Sequence, residues 1–233
     1  MTAATRLNPV FRPIATQTPG FAKPQVLSLS ARLRSNRRPL IFTFMRDLLD
    51  LPANLPVPED DGACAHLQGM LIPAIRLEST AGYPVNLAEA RGRTVVYCYP
   101  RTGQPDQPVP HGWDAIPGAR GCTPQSCSFR DHYSELTNAG VAHLFGLSTQ
   151  DTDYQREAVE RLHLPFSLLS DRELHFADAL KLPTFRFDSM ILIKRLTLII
   201  DDGCITKVFY PAFPPDKSAQ QTLEWLMENP AVR

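Results

Sequence analysis

Gly121-Cys-Thr-Pro-Gln-Ser-Cys-Ser-Phe-Arg-Asp131 is the stretch on which the reading of this 233-residue chain turns. A glycine leads into Cys122, and Pro124 follows at a first-turn helical position, where a missing N–H is harmless. Cys122 therefore opens a helix that is expected to run from Thr123 to Asn138, with Gly140 as its C′ stop. A sulfur in that place faces unpaired backbone N–H groups and the positive end of the helix dipole, and both favour thiolate over thiol. The thiolate is the nucleophilic form of cysteine. Cys127 lies five residues on; if both are helical, their Cα atoms are about 8–9 Å apart. A disulfide needs about 7 Å or less. Bonding of the pair would require the first turns of the helix to unwind.

Working outward, Arg93-Thr-Val-Val-Tyr-Cys-Tyr99 is a β-branched and aromatic run, as expected of a central strand buried on both faces, and Pro100 ends it. Residues 101–121 are dense in Pro and Gly, and a loop of that length inside a compact domain tends to be functional. Further strands are predicted at Ile72–Leu77, Tyr83–Leu87, Val141–Ser148, Phe166–Leu169, Leu196–Ile200 and Cys204–Tyr210, the last two a hairpin around Asp201-Asp-Gly203. Helices are predicted from the Ser148–Asp151 caps to His163, over Asp171–Leu180, and over Asp216–Glu228. Strands alternating with helices, plus one late hairpin, predict an α/β sandwich with a central mixed β-sheet flanked by helices.

Composition bounds the function. Net charge is zero, which gives no argument for nucleic acid as a partner, and no run of eighteen apolar residues is present to span a membrane. The balance hides an asymmetry: residues 1–45 carry seven basic residues and no acid, leaving 17 basic against 24 acidic groups in the rest. That segment reads as a basic extension, disordered or preceding a true start at Met45; an organelle transit peptide is the second reading and a twin-arginine export signal the third. Residues 46–58 read as a linker or packed arm, and 59–233 as the domain proper. Five cysteines at irregular spacing argue for a reducing compartment, with the cytoplasm as the expected location and an organelle as the alternative. No second Cys/His pair stands at zinc-ligand spacing, so no metal or organic cofactor is expected. Cys98 and Cys204 are read as core packing, Cys64 as an exposed thiol or partner contact, and Trp113 as a lid or an anchor for its loop. Arg130 is read equally as a supporting contact near the site or a structural salt bridge with a neighbouring strand.

Gly121-Cys122-Thr123-x-x-x-Cys127-x-Phe129-Arg130-Asp131 resembles the active-site segment of peroxiredoxins, specifically the bacterioferritin comigratory protein (Q-type) branch. Tyr97-Cys-Tyr-Pro100, Pro165-Phe-x-Leu-Leu-Ser-Asp171 and Arg195-x-Thr197-x-x-Ile200-Asp201-x-Gly203 resemble further landmarks of that family in the right order. The resemblance covers roughly Pro73 to Leu226 and implies a thioredoxin-like fold. It implies that Cys122 is peroxidatic, Cys127 resolving, and Arg195 the arginine that holds the thiolate and the peroxide oxygens. Hydrogen peroxide or an organic hydroperoxide would be the substrate, thioredoxin or a similar dithiol the reductant, and a monomer or weak dimer the working form.

The family usually carries a Thr or Ser three residues before the nucleophile; here that position is Ala119, and about fifteen extra residues separate Pro100 from Cys122. Thr102 is the candidate to supply the missing hydroxyl, and Thr123 the second. Two rival functions stand beside the peroxidase: a peroxide-sensing thiol-disulfide relay, and a non-catalytic interaction protein on the same fold.

Overall fold

The computed structural model describes residues 48–231, so the basic extension 1–45 lies outside the described residues. The strands are β1 (Arg76–Ser79), β2 (Val85–Asn86), β3 (Arg93–Cys98), β4 (Val141–Ser148), β5 (Ser167–Ser170), β6 (Thr184–Phe187), β7 (Met190–Ile193), β8 (Leu196–Asp201) and β9 (Cys204–Phe209). The helices are α1 (Cys122–Asp131), α2 (Tyr133–Asn138), α3 (Thr152–Leu162), α4 (His175–Leu180) and α5 (Ser218–Glu228). Seven strands form one sheet in the order β2-β1-β5-β4-β3-β8-β9. The β3–β4 and β4–β5 pairs are parallel and the others antiparallel, so the sheet is mixed.

The run from Arg93 forms β3, an inner strand between β4 and β8 with all six residues buried, as its apolar stretch from Val95 requires. Successive side chains feed opposite cores. Val96 and Cys98 pack with α4 through Phe176 and Leu180. Val95, Tyr97 and Tyr99 pack with α1, α2, α3 and α5 through Phe129, Leu136, Leu162 and Leu226. Tyr97 stacks on Phe129 with ring centroids 4.4 Å apart, which fixes α1 over the sheet. A thioredoxin-like sandwich of helices around a mixed sheet is what the chain builds.

Several boundaries differ from the expected ones. The helix predicted over Thr123–Asn138 is two helices that meet at His132, whose backbone leaves the helical region (φ −95°, ψ 7°) and whose ring bonds the Ser128 carbonyl. The first strand begins at Arg76 rather than Ile72; Ile72 instead donates its amide to Gly203 and fills the core. Only Val85–Asn86 remains of the second. The helix expected from Asp171 starts at His175, and the Asp171 carboxylate reaches forward to accept the Phe176 and Ala177 amides. Burial raises that carboxyl above its ordinary value, and the two amide bonds pull the other way. The β6–β7 hairpin was not anticipated, although the alternation in Thr-Phe-Arg-Phe before Asp188-Ser189 signals it. Cys64 is buried in the core, not exposed, and burial beside Asp61 and Asp60 pushes its thiol up to about 12.

One guanidinium ties the sheet to the closing helix. Arg93 meets both carboxylate oxygens of Asp201, at 2.7 and 2.8 Å, and donates to the Asn229 carbonyl at 2.6 Å. Its guanidinium also lies over the Trp225 ring. Arg93→Ala removes one half of a largely buried pair and is expected to lower unfolding stability by about 3 kcal/mol, measured by urea denaturation.

Candidate active site

Cys122 is the first residue of α1, and Gly121 before it holds φ +102°. That conformation suits glycine, and a β-carbon there would also run into the Pro215 ring and approach Leu51. Glycine is thus what lets the sulfur sit at the helix mouth against the turn that starts α5. The Gln125 amide already bonds the Gly121 carbonyl, so the N–H groups of the preceding residues are the unpaired ones of the first turn.

Arg195 reaches the same point from the residue before β8. It is only 3% exposed. Its Nη2 lies 3.2 Å from Cys122 Sγ and donates to the carbonyls of Ala119 (3.2 Å) and Arg120 (3.0 Å). Its Nη1 donates to Gln125 Oε1, and Gln125 Nε2 in turn faces Ser218 Oγ at 3.4 Å. The structure therefore brings Arg195 and Cys122 together. Gln125 was missed in the sequence, although its i,i+3 spacing from Cys122 puts the two on one helix face and offered the signal.

Cys127 lies on the same helix, half-buried, with its thiol free like those of the other four cysteines. Burial pushes this thiol above its ordinary value, Arg130 opposes the rise, and Asp131 adds to it. Arg130 pairs with its helix neighbour Asp131 and not with a neighbouring strand. It bonds Asp131 and the Leu162 carbonyl, and its charge also stands beside Cys127.

Thr102 is fully buried, and its hydroxyl donates to Gln150 Oε1 at 3.2 Å rather than to the sulfur. Its amide bonds the same oxygen, and its carbonyl accepts from Gln150 and from the Tyr154 hydroxyl. The insertion brings its two ends together beside Cys122 and its middle over that residue. A cavity of about 100 Å³ lies between them, walled by Leu48, Val109 and Trp113, with Cys122 and Thr123 also lining it. Arg101 and Gly103 line it as well, but Thr102 does not. Trp113 is both wall and anchor, packing edge-on against Phe187 of β6 at 4.9 Å and near Phe185. The residues 48–58 that precede the domain lie across this region: Leu48 abuts Gly103, Leu51 abuts Gly121 and Pro58 abuts Gly118.

A buried guanidinium touching a cysteine sulfur at a helix mouth, with a second cysteine on the helix, defines a thiol-reactive centre on a thioredoxin-like scaffold. The redoxin family model matches residues 67–223, and the chain belongs to that family. Within it, the chain is a peroxiredoxin of the Q type, a thiol peroxidase. It is 30% identical over 161 residues to the chloroplastic peroxiredoxin Q of Suaeda salsa, covering 68% of this chain and 67% of that one. To the chloroplastic peroxiredoxin Q of Gentiana triflora it is 29% identical over 189 residues, covering 78% and 79%. Among solved structures, the peroxidoxin BcpB of Mycobacterium tuberculosis superposes with a TM-score of 0.57 at 24% identity, covering 70% of this chain and 97% of that one. Peroxiredoxin Q of Xanthomonas campestris gives 0.55 at 20%, covering 69% and 98%.

Two substitutions test the geometry. Gln125→Leu leaves a buried guanidinium N–H without its acceptor and is expected to destabilise the fold by about 2 kcal/mol in urea titration. Thr102→Val removes a hydroxyl that bonds Gln150, so peroxide consumption should stay within about twofold of the unmodified protein while stability falls by about 1 kcal/mol. A fall of one to two decades in rate would return Thr102 to the reacting centre.

Proposed function

We propose that Cys122 is the peroxidatic cysteine, Cys127 the resolving cysteine and Arg195 the group that stabilises the reacting charge. The Cys122 thiolate attacks the hydroperoxide; an S–O bond forms, the O–O bond breaks, and the departing oxygen takes a proton to leave as water or an alcohol. Arg195, 3.2 Å from Sγ, offers positive charge to the sulfur and to the oxygen that acquires charge as the bond breaks. That contact is the observation that carries the reading.

The second step joins the two sulfurs. Cys127 attacks the sulfenic acid of Cys122, the S–S bond forms and water leaves. Five helical residues hold the two Cα atoms about 8–9 Å apart, beyond the roughly 7 Å that a disulfide allows. Cys127 therefore reaches Cys122 only when the start of α1 unwinds, and unwinding also releases Cys127 from the burial that keeps it protonated. The break at His132 suits this, because α2 can stay packed while α1 loosens.

The family takes a peroxide substrate and a dithiol reductant of the thioredoxin type. For this chain we assign thioredoxin itself as the reductant, by exchange with the Cys122–Cys127 disulfide, and a monomer or weak dimer as the working form. The domain is taken as 59–233 and 46–58 as a linker or arm, of which residues 48–58 lie beside the site. Cysteine usage favours a reducing cytoplasm; the acid-free basic segment 1–45 and the chloroplastic names of the plant relatives favour an organelle as second reading.

Mass spectrometry after one equivalent of peroxide tests the cycle. The expected result is a loss of two hydrogens confined to the peptide holding Cys122 and Cys127, and a gain of one oxygen on Cys122 in Cys127→Ser. An unchanged mass would remove the peroxidase assignment of these residues.

A further inference from the structure

The cavity over Cys122 owes its far wall to residues outside the family pattern. Pro108, Val109, Pro110 and Trp113 belong to the insertion, and Leu48 comes from the preceding arm. Their contribution is apolar, and the wall is rigidly held: Trp113 is 5% exposed and shares a small separate core with Leu192 and the β6–β7 aromatics. A second depression of about 390 Å³ adjoins the first, sharing Leu48, Pro108 and Val109 together with Gln107 and Arg120, so an apolar strip with a polar edge continues outward from the sulfur.

A cavity of about 100 Å³ holds several waters. Hydrogen peroxide bound at the sulfur would leave water standing against the apolar wall. A hydroperoxide with an alkyl or aryl group beside its O–O bond would displace that water and bury carbon instead. Each methylene so buried favours binding by about fourfold, the equivalent of ~0.8 kcal/mol.

We infer that the insertion is a specificity element, with Trp113 and Val109 forming a subsite for the apolar group of an organic hydroperoxide. This deepens the peroxidase reading and rests on it. Selectivity is set by the wall and not by the sulfur, because the wall touches only the part of the substrate that does not react. Arg195 and the N-terminus of α1 serve every peroxide alike, whereas the insertion distinguishes among them.

The test compares kcat/KM for cumene hydroperoxide and for hydrogen peroxide in the full chain with a thioredoxin system. The quantity read is the ratio of the two, which cancels any general loss of activity. The ratio is expected to fall about tenfold in Trp113→Ala and about fourfold in Val109→Ser, the latter keeping the Trp113 anchor and hence the fold. Ratios unchanged in both variants would overturn the inference while leaving the peroxidase reading intact. Failure of the unmodified protein to consume either peroxide would instead overturn the peroxidase reading, and this inference with it.

Discussion

A guanidinium removed from water must have its donors answered by the protein, because an unpaired buried charge is among the most destabilising features a fold can hold. Arg195 is such a group: much of the local architecture consists of acceptors for its two terminal nitrogens, while its Nε, alone of the three, is buried without a partner among the described residues. Two consecutive carbonyls, Ala119 and Arg120, turn toward it, and the chain makes that turn through the positive-φ glycine that follows. Gln125 accepts from Nη1 and reaches Ser218 at the start of α5. The Cys122 sulfur completes the set around Nη2. The position of the Cys122 sulfur and the stability of the surrounding turn thus have the same cause.

The sheet makes this meeting happen. Cys122 and Arg195 are 73 residues apart, yet β3 and β8 are antiparallel neighbours in register from Arg93–Asp201 to Cys98–Leu196. Arg195 therefore emerges beside the end of β3, on the face where Tyr97 and Phe129 hold α1. The Arg93–Asp201 pair closes the opposite end of the same ladder. The insertion, for its part, adds a third small core of its own around Trp113 rather than drawing on the two large ones. A loop of this length can be accommodated without disturbing the sheet because its apolar residues find partners in the β6–β7 hairpin.

Helix and strand identity was legible wherever a segment's own pattern matched its environment. Val141–Ser148 appears with its expected bounds, and Asp151 caps α3 by accepting the Tyr154 amide. The misreadings occurred where a long-range partner decided the outcome. Ile72 leaves the strand register because Gly203 takes its amide, and Asp171 lies outside α4 because its carboxylate serves as a remote cap. Cys64 looked exposed among polar neighbours but is buried by elements more than a hundred residues away, Leu196 and Ile205 among them.

Local sequence was sufficient to place a cysteine at a helix mouth: a glycine, a cysteine and a first-turn proline specify a helix start, and a helix start is electropositive whatever surrounds it. The class of sandwich was likewise written in the alternation of strand and helix patterns. The partners of the sulfur were not, since Gln125 became the link between Arg195 and Ser218 only when β8 and α5 closed over α1. Nor was the fate of the insertion, which a one-dimensional reading could place over the site or away from it. Its direction was decided by where the aromatic side chains of β6 stand, and that is a property of packing rather than of pattern.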